Sequence, residues 1–145
     1  MPNQKPSLFR VISVDYLSLL SVLFPIVFWI YSAYCFYSGD DSLQIFVLLS
    51  TAISIVAIPL LFWRYRVISS VFDDGIEVQG TLTGVRFFRG RGRVDYAYSF
   101  QGQKFASGNS VNRTRYTKEL RDGQQVTILM DRNDPKRAFV KEIYL

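Results

Sequence analysis

Two long apolar segments separated by a short acidic turn constrain this chain more than any other feature of its sequence. Neither residues 16–37 nor residues 43–63 contain a charged side chain. Helices of these lengths rise by about 1.5 Å per residue and reach across a hydrocarbon layer of roughly 30 Å. Because backbone groups in lipid must hydrogen-bond within their own helix, the pair predicts a transmembrane helical hairpin over residues 16–63. A hairpin buried in a soluble core is the disfavoured alternative, since uncharged segments of this length are rare there.

The first apolar segment also has features of a signal peptide, because Lys5 and Arg10 precede it. Its length and the second segment that follows favour a retained helix. A lipoprotein cleavage site before Cys35 is disfavoured, because the bulky Tyr34 stands where a small residue is needed. Cys35 is the only cysteine in the chain, so no intramolecular disulfide can form.

Basic residues beside the two segments predict their orientation. Lys5 and Arg10 precede the first segment, Arg64 and Arg66 follow the second, and the turn at residues 38–42 has neither lysine nor arginine. Basic residues accumulate on the cytoplasmic side of membrane helices. We therefore expect both termini in the cytoplasm and the turn outside.

The apolar segments themselves give little sign of chemistry. Apart from tyrosine hydroxyls, the Cys35 thiol is their only ionisable side chain, which argues against a proton relay, an ion pathway or a transporter site. Pro25 and Pro59 can kink their helices, and ordinary tolerance of proline in membrane helices is favoured over a gating role. Ser50 and Ser54 form a small-xxx-small pattern that can bring helices together.

After residue 75 the period of the apolar residues changes from helical to two. Residues 76–82 alternate, and the apolar phase shifts by one position past Gly84, which predicts a β-bulge with an unusual backbone angle at this glycine. The alternation around Tyr96, Tyr98 and Phe100 predicts that these three side chains face the core. We expect about five antiparallel strands, the last over residues 138–144.

These segments together predict an α+β membrane protein, in which a two-helix transmembrane hairpin is followed by a small antiparallel β-barrel-like domain. The expected organisation is a cytoplasmic tail over residues 1–15, the hairpin over residues 16–63, a connector over residues 64–75 and the β-domain over residues 76–145. Basic residues outnumber acidic ones after the hairpin, and the whole chain carries a net charge of +5.

Turn and core residues of the β-domain carry a family resemblance. They are Gly80-Thr81-Leu82, then Val94-x-Tyr96-x-Tyr98-x-Phe100 with Gly102, then Gly123-x-x-Val126-x-Ile128-x-x-Asp131-x-Asn133-x-Pro135. Over residues 76–143 this pattern resembles the bacterial membrane family called domain of unknown function 3592. The chain departs from the Tyr-Asp-Pro signature of that family, with Met130 for the tyrosine and Arg132 for the proline. The resemblance implies a fold and a membrane setting, and it implies no activity. With the two apolar segments, we expect a multi-pass protein of a bacterial inner membrane.

The residues that most often carry catalysis are scarce. The chain has no histidine, which removes most metal sites and the usual catalytic triads. No glycine-rich loop has P-loop or dinucleotide-binding spacing. The close carboxylate pairs, Asp73 with Asp74 and Asp131 with Asp134, lie in turns where aspartate usually caps backbone groups. We therefore expect no catalysis, no metal, no cofactor and no small-molecule substrate.

One cluster is a candidate binding site. Arg86, Arg89, Arg91 and Arg93 occur within eight positions, beside two phenylalanines and two glycines. Such a basic hairpin can bind phosphate of lipid or nucleic acid, although a solvated turn with solubilising charges is the favoured interpretation. The membrane anchor favours anionic lipid, so no nucleic acid partner is expected.

Two classes of function remain open. The first is a membrane-anchored interaction or assembly module without catalysis, which binds the bilayer surface, a protein partner or a second copy of the chain. The second is an accessory subunit of a membrane enzyme or transporter complex. The lack of histidine and of charge within the apolar segments favours the first class.

Overall fold

The computed structural model describes residues 5–145 and contains four helices and five strands within that range. In chain order they are α1 (Leu8–Val14), α2 (Tyr16–Ser38), α3 (Leu43–Asp74), β1 (Ile76–Phe88), β2 (Arg91–Phe100), β3 (Gln103–Asn112), β4 (Gln125–Met130), β5 (Ala138–Val140) and α4 (Lys141–Tyr144). Part of the expected tail, residues 1–4, lies outside the described residues.

Helices α2 and α3 form the expected antiparallel pair. Helix α2 ends at Ser38 and is followed by Gly39, whose φ of 67° is the left-handed conformation common after helix C-termini. Asp40 then accepts a hydrogen bond from the Ser42 backbone N–H at 2.8 Å, which closes the acidic turn. Within residues 5–145, α2 and α3 are the two helices long and apolar enough to cross a membrane.

Serine side chains join the two long helices. The hydroxyls of Ser32 and Ser50 lie 2.9 Å apart, and Trp29 Nε1 donates to Ser54 Oγ at 3.1 Å. The predicted small-residue contact through Ser50 and Ser54 is therefore confirmed. Helix α3 continues without interruption through the region expected to be a connector, so the second apolar segment and the start of the β-domain share one rigid element.

The strands form one antiparallel sheet in the order β3-β2-β1-β4-β5, which curls into a nearly closed barrel. Side chains of β3 cross the remaining gap: Asn109 Nδ2 donates to the Ala138 carbonyl at 3.3 Å, and Ser107 Oγ donates to the Lys136 carbonyl at 3.3 Å. The predicted α+β class and barrel-like sheet are confirmed.

Two tight turns connect the first three strands. Arg89 and Gly90 have φ of 49° and 88°, and Gln101 and Gly102 have φ of 50° and 78°. Positive φ at both central residues is typical of type I′ turns, whose twist matches that of the strands they join. Because one turn precedes β2 and the other follows it, the two turns lie at opposite ends of this strand.

The predicted bulge in β1 is present, with a different residue at its centre. Leu82 pairs with Tyr96 and Gly84 with Asp95, so Thr83 is the extra residue. Gly84 is not among the residues with positive φ, and the expected unusual backbone angle at Gly84 is wrong. The segment that precedes β4 stabilises the bulge instead, because Val85 N donates to Asp122 Oδ1 at 2.6 Å.

The inward face of β2 supplies much of the core, as its alternation predicts. Tyr96 and Tyr98 are buried, and Phe100, at the end of the strand, is half-buried. Each tyrosine hydroxyl donates to a backbone carbonyl, Tyr96 to that of Ala138 in β5 and Tyr98 to that of Pro135 in the turn before β5. The core thus combines apolar packing with satisfied hydroxyls.

The C-terminus differs from the expected strand over residues 138–144, because the chain turns into α4 after Val140. Ile143 and Tyr144 are adjacent and both buried. The Leu145 backbone N–H donates to the Lys141 carbonyl at 3.1 Å, which closes this single helical turn. Helix α1 covers the same region with the buried side chains of Val11 and Val14.

Candidate functional site

The junction between the helical pair and the β-domain contains a buried ion pair. Arg64 Nη2 lies 2.8 Å from Asp15 Oδ1, and Arg64 Nε also donates to both carboxylate oxygens. Asp15 is 1% exposed. Its Oδ2 accepts from the backbone N–H of Ser18 at 3.0 Å, so the same carboxylate caps the start of α2. One side chain therefore joins the first turn of α2 to α3.

Aromatic side chains of the β-domain enclose this ion pair. The Arg64 guanidinium lies 5.6 Å from the ring centroid of Phe139, within cation–π range. The ring of Tyr144 packs edge-on against Phe139 and Phe72. Burial raises the pKa of the Tyr144 hydroxyl, with the nearby Asp15 charge acting in the same direction. The junction is thus apolar apart from this ion pair, the Ser18 hydroxyl that donates to Asp15, and the Tyr144 hydroxyl, which has no hydrogen-bond partner within residues 5–145.

The β1–β2 turn brings the four candidate arginines together on the outer face of the sheet. Arg86 pairs with Arg93 across the strands, and Phe88 pairs with Arg91. Residues two apart on a strand point to the same face, so Arg86, Arg91 and Arg93 share the outer surface. The sequence prediction of a basic hairpin is therefore correct in its placement, and its role stays a prediction.

Two of the four arginines already have a carboxylate partner. Asp95 accepts from Arg93 Nε at 2.6 Å and from Arg86 Nη2 at 3.0 Å. The hydrogen bond from Arg93 holds the pKa of the Asp95 carboxyl below its usual value, and Arg86 adds to this effect. This triad offers less free positive charge than two arginines would alone.

The other two arginines lie at the tip of the hairpin and contact aromatic rings. Arg91 Nη1 donates to the Tyr16 hydroxyl at 3.1 Å, and its guanidinium lies 5.7 Å from the Tyr16 ring centroid. The Arg89 guanidinium lies 5.1 Å from the ring centroid of Phe88, which is 65% exposed. Arg91 therefore connects the hairpin tip to the first residue of α2, and the Phe88 side chain beside it is exposed.

Glycines lie opposite Asp95 on both neighbouring strands, beside the triad that Asp95 forms with Arg86 and Arg93. Asp95 pairs with Gly84 on β1 and with Gly108 on β3. A Cβ atom at Gly108 would overlap Asp95 Oδ1 and lie 2.8 Å from Arg93 Nε. The absence of a side chain at this position allows Arg93 to lie along the sheet toward its partner.

A shallow apolar groove of about 540 Å³ runs between the two long helices. It is lined by side chains of α2 and α3: Leu17, Leu20, Ser21, Phe24, Phe28, Ala52, Ile53, Val56, Ala57 and Leu60. Most of the surface of both helices is unburied by the rest of the chain. The groove is suited to lipid chains or to another apolar helix.

Asp131 and Asp134 behave as turn residues, whereas Asp73 and Asp74 form the end of α3 and not the predicted turn. Asp131 Oδ1 accepts from Asn133 N at 2.9 Å, and Asp134 Oδ1 accepts from Lys136 N at 3.1 Å, which confirms their predicted capping role. Asp73 Oδ2 lies 2.9 Å from Lys5 Nζ. Across residues 5–145, no three histidine, cysteine or acidic side chains come close enough to hold a metal ion.

Sequence reasoning missed three of these residues. Asp15 stands directly before an apolar helix, which is an N-cap signal, but nothing local indicates its pairing with Arg64, 49 positions away. Asp95 is two residues from Arg93 and so shares its face of the strand, which is a readable signal. The contact of Arg91 with Tyr16 depends on the packing of the whole domain and has no local signal.

Comparison with known proteins gives a family and no relative of known activity. Neither the curated proteins nor the solved structures contain a match to this chain. A family model matches residues 66–142, which is more than half of the chain and includes the end of α3 and all five strands. The match begins ten residues before the resemblance noted in the sequence. The chain belongs to the family described as Domain of unknown function (DUF3592).

Proposed function

We propose that this protein is a membrane-anchored interaction or assembly module, in which α2 and α3 cross a bacterial inner membrane and the β-domain presents a binding surface at its cytoplasmic face. The observation that carries the proposal is the rigid connection between the two parts. Helix α3 runs unbroken from the apolar segment into the β-domain, and the Asp15–Arg64 pair ties α2 to the same place. A rigid anchor holds the domain in a defined orientation for a partner.

The surfaces of the molecule suit binding to a partner rather than catalysis. The groove between α2 and α3 is apolar and open, and the outer face of the β-domain is charged. A protein partner or a second copy of the chain could therefore engage the module through either part. An accessory subunit of an enzyme or transporter complex would use the same surfaces.

The proposal can be tested by extracting the full chain from its native membrane in polymer-bounded discs. Mass photometry should give particles larger than a single chain, and cross-linking should connect the β-domain or α2 reproducibly to one defined protein or to a second copy. Discs that hold one copy of the chain alone, without specific cross-links, would contradict the proposal.

Anionic lipid is a second candidate partner of the four-arginine cluster. The hydrogen bond between Arg91 and Tyr16 favours it, because Tyr16 begins the apolar segment of α2. Basic residues near an anionic membrane surface are attracted to its head groups.

A further inference from the structure

We infer that the tip of the β1–β2 hairpin, formed by Phe88, Arg89 and Arg91, docks on anionic phospholipid head groups of the membrane that holds α2 and α3. The inference rests on the proposed membrane anchoring of the helical pair. It differs from a general attraction by all four arginines, because it assigns the contact to two of them and to one exposed aromatic ring.

Aromatic residues at the ends of the apolar segments indicate the depth of the hairpin tip. Tyr16 begins the uncharged segment of α2, and Trp63, 57% exposed, ends the uncharged segment of α3. Tyrosine and tryptophan are enriched where the hydrocarbon layer meets the head groups. The hydrogen bond of 3.1 Å from Arg91 to the Tyr16 hydroxyl therefore places the hairpin tip at the level of the head groups.

The four arginines of the hairpin differ in their ion pairing. Arg86 and Arg93 share the carboxylate of Asp95, whereas neither Arg89 nor Arg91 forms an ion pair within residues 5–145. Their side chains instead lie over the rings of Phe88 and Tyr16. The two tip arginines thus keep their full charge for phosphate, and each should favour docking on an anionic surface by roughly fivefold.

The aromatic ring of Phe88 is exposed at the hairpin tip. Phe88 points outward beside Arg91 on the neighbouring strand and packs into no core. An aromatic ring flanked by cations is the composition of segments that rest in the interface between head groups and acyl chains. Insertion of Phe88 and phosphate contacts by the two arginines would act together at one depth.

The test uses the full chain in liposomes, with a single environment-sensitive fluorophore on an introduced cysteine in a Cys35→Ser background. Phe88→Cys places the label at the tip, and Gln101→Cys places it at the opposite end of β2 as the matched control. Liposomes contain either phosphatidylcholine alone or phosphatidylcholine with phosphatidylglycerol. A fraction of the lipids carries a head-group spin label, which quenches fluorophores at that depth.

The label at position 88 should be quenched, more strongly with phosphatidylglycerol, and the label at position 101 should not. With phosphatidylglycerol present, Arg89→Gln with Arg91→Gln should lower the docked-to-undocked ratio at position 88 by more than tenfold. Arg86→Gln with Asp95→Asn removes one charge of each sign and keeps the net charge of the triad, so it should leave the ratio within about twofold. Salt at 1 M, where the Debye length is about 3 Å, should weaken the anionic-lipid effect.

Several results would overturn the inference. They are equal quenching at positions 88 and 101, no dependence on lipid charge, or an equal loss in the charge-conserving Arg86 and Asp95 double variant. A loss in Tyr16→Phe as large as that in the tip variant would show that tethering, rather than lipid charge, positions the tip. Alkaline extraction of the liposomes tests the membrane anchoring separately. Every variant should stay in the membrane fraction. Release of the protein would contradict the proposed function and not the docking alone.

Discussion

The guanidinium of Arg64 donates to the carboxylate of Asp15 at 2.8 Å across 49 positions of sequence. This pair joins the start of α2 to α3, where both helices meet the β-domain. The carboxylate also caps α2, so a single buried side chain fixes the position of two elements. The geometry explains how a small β-domain can be held rigidly on two long helices.

The first prediction concerns the charge of this pair. Asp15→Asn keeps a good N-cap residue but leaves the partly buried Arg64 without a counter-charge. We expect a loss of about 2–4 kcal/mol in the free energy of unfolding, somewhat below the range for fully buried pairs because Arg64 keeps some exposure. Thermal unfolding of the detergent-solubilised chain, followed by circular dichroism, measures the effect.

The exposed pair between Lys141 and Glu77 is the matched control. Exposed ion pairs contribute at most about 1 kcal/mol, so Glu77→Gln should have little effect. Equal destabilisation by Asp15→Asn and Glu77→Gln would show that the junction does not depend on its buried charge.

The second prediction separates two aromatic residues on the same face of β2. Tyr96 is fully buried, whereas Phe100 is half-buried at the end of the strand. Tyr96→Ala should cost about 3–5 kcal/mol and Phe100→Ala distinctly less, because the cost follows the cavity that is left. Denaturant unfolding of both variants gives the two values, and a larger effect at Phe100 would contradict the burial order.

The third prediction concerns glycines of β1. A Cβ atom at Gly80 would overlap the Ile128 side chain and lie 2.9 Å from the Ala97 carbonyl oxygen, whereas one at Gly84 would meet Asp95 Oδ2 at 3.5 Å. Gly80→Ala should therefore cost about 1–3 kcal/mol through overpacking, and Gly84→Ala should be nearly neutral. Melting temperatures of the two variants in the same detergent give the comparison, and the reverse order would contradict the described bulge.

The fourth prediction concerns acid stability. The pKa of Asp95 is lowered by the hydrogen bond from Arg93, so its contribution to stability is fully present above the unfolded pKa of about 3.9. That contribution is lost as the pH falls through the lower pKa of the folded state. Unfolding measured between pH 7 and pH 2 should show a smaller acid-dependent loss in Asp95→Asn than in the parent chain. Identical pH profiles would exclude a role for the triad in stability.

The sequence predicted those features that depend on local periodicity. The uncharged segments gave α2 and α3, the alternation gave Tyr96 and Tyr98 in the core, and the phase shift beside Gly84 gave the bulge. Predictions failed where tertiary packing decides. The last expected strand ends at Val140, and a helical turn follows that packs Ile143 and Tyr144 into the core.

The candidate site also combines features that the local sequence predicts with features that only the tertiary structure shows. Four arginines in one hairpin can be read directly from the sequence, and the contact of two of them with Asp95 follows from strand alternation and pairing. The contact of Arg91 with Tyr16 joins residues 75 positions apart and requires the three-dimensional arrangement of α2 and the barrel. That long-range contact is what turns a charged loop into a candidate membrane contact.

The central claim is that α2 and α3 cross the membrane as a hairpin, with the β-domain on the cytoplasmic side. Single cysteines at Asp41, in the turn, and at Glu119, in the β-domain, test it directly in a Cys35→Ser background. A membrane-impermeant maleimide applied to intact bacterial cells should label Asp41→Cys and leave Glu119→Cys unlabelled until the cells are opened. Labelling of both positions, or of Glu119→Cys alone, in intact cells would contradict the account.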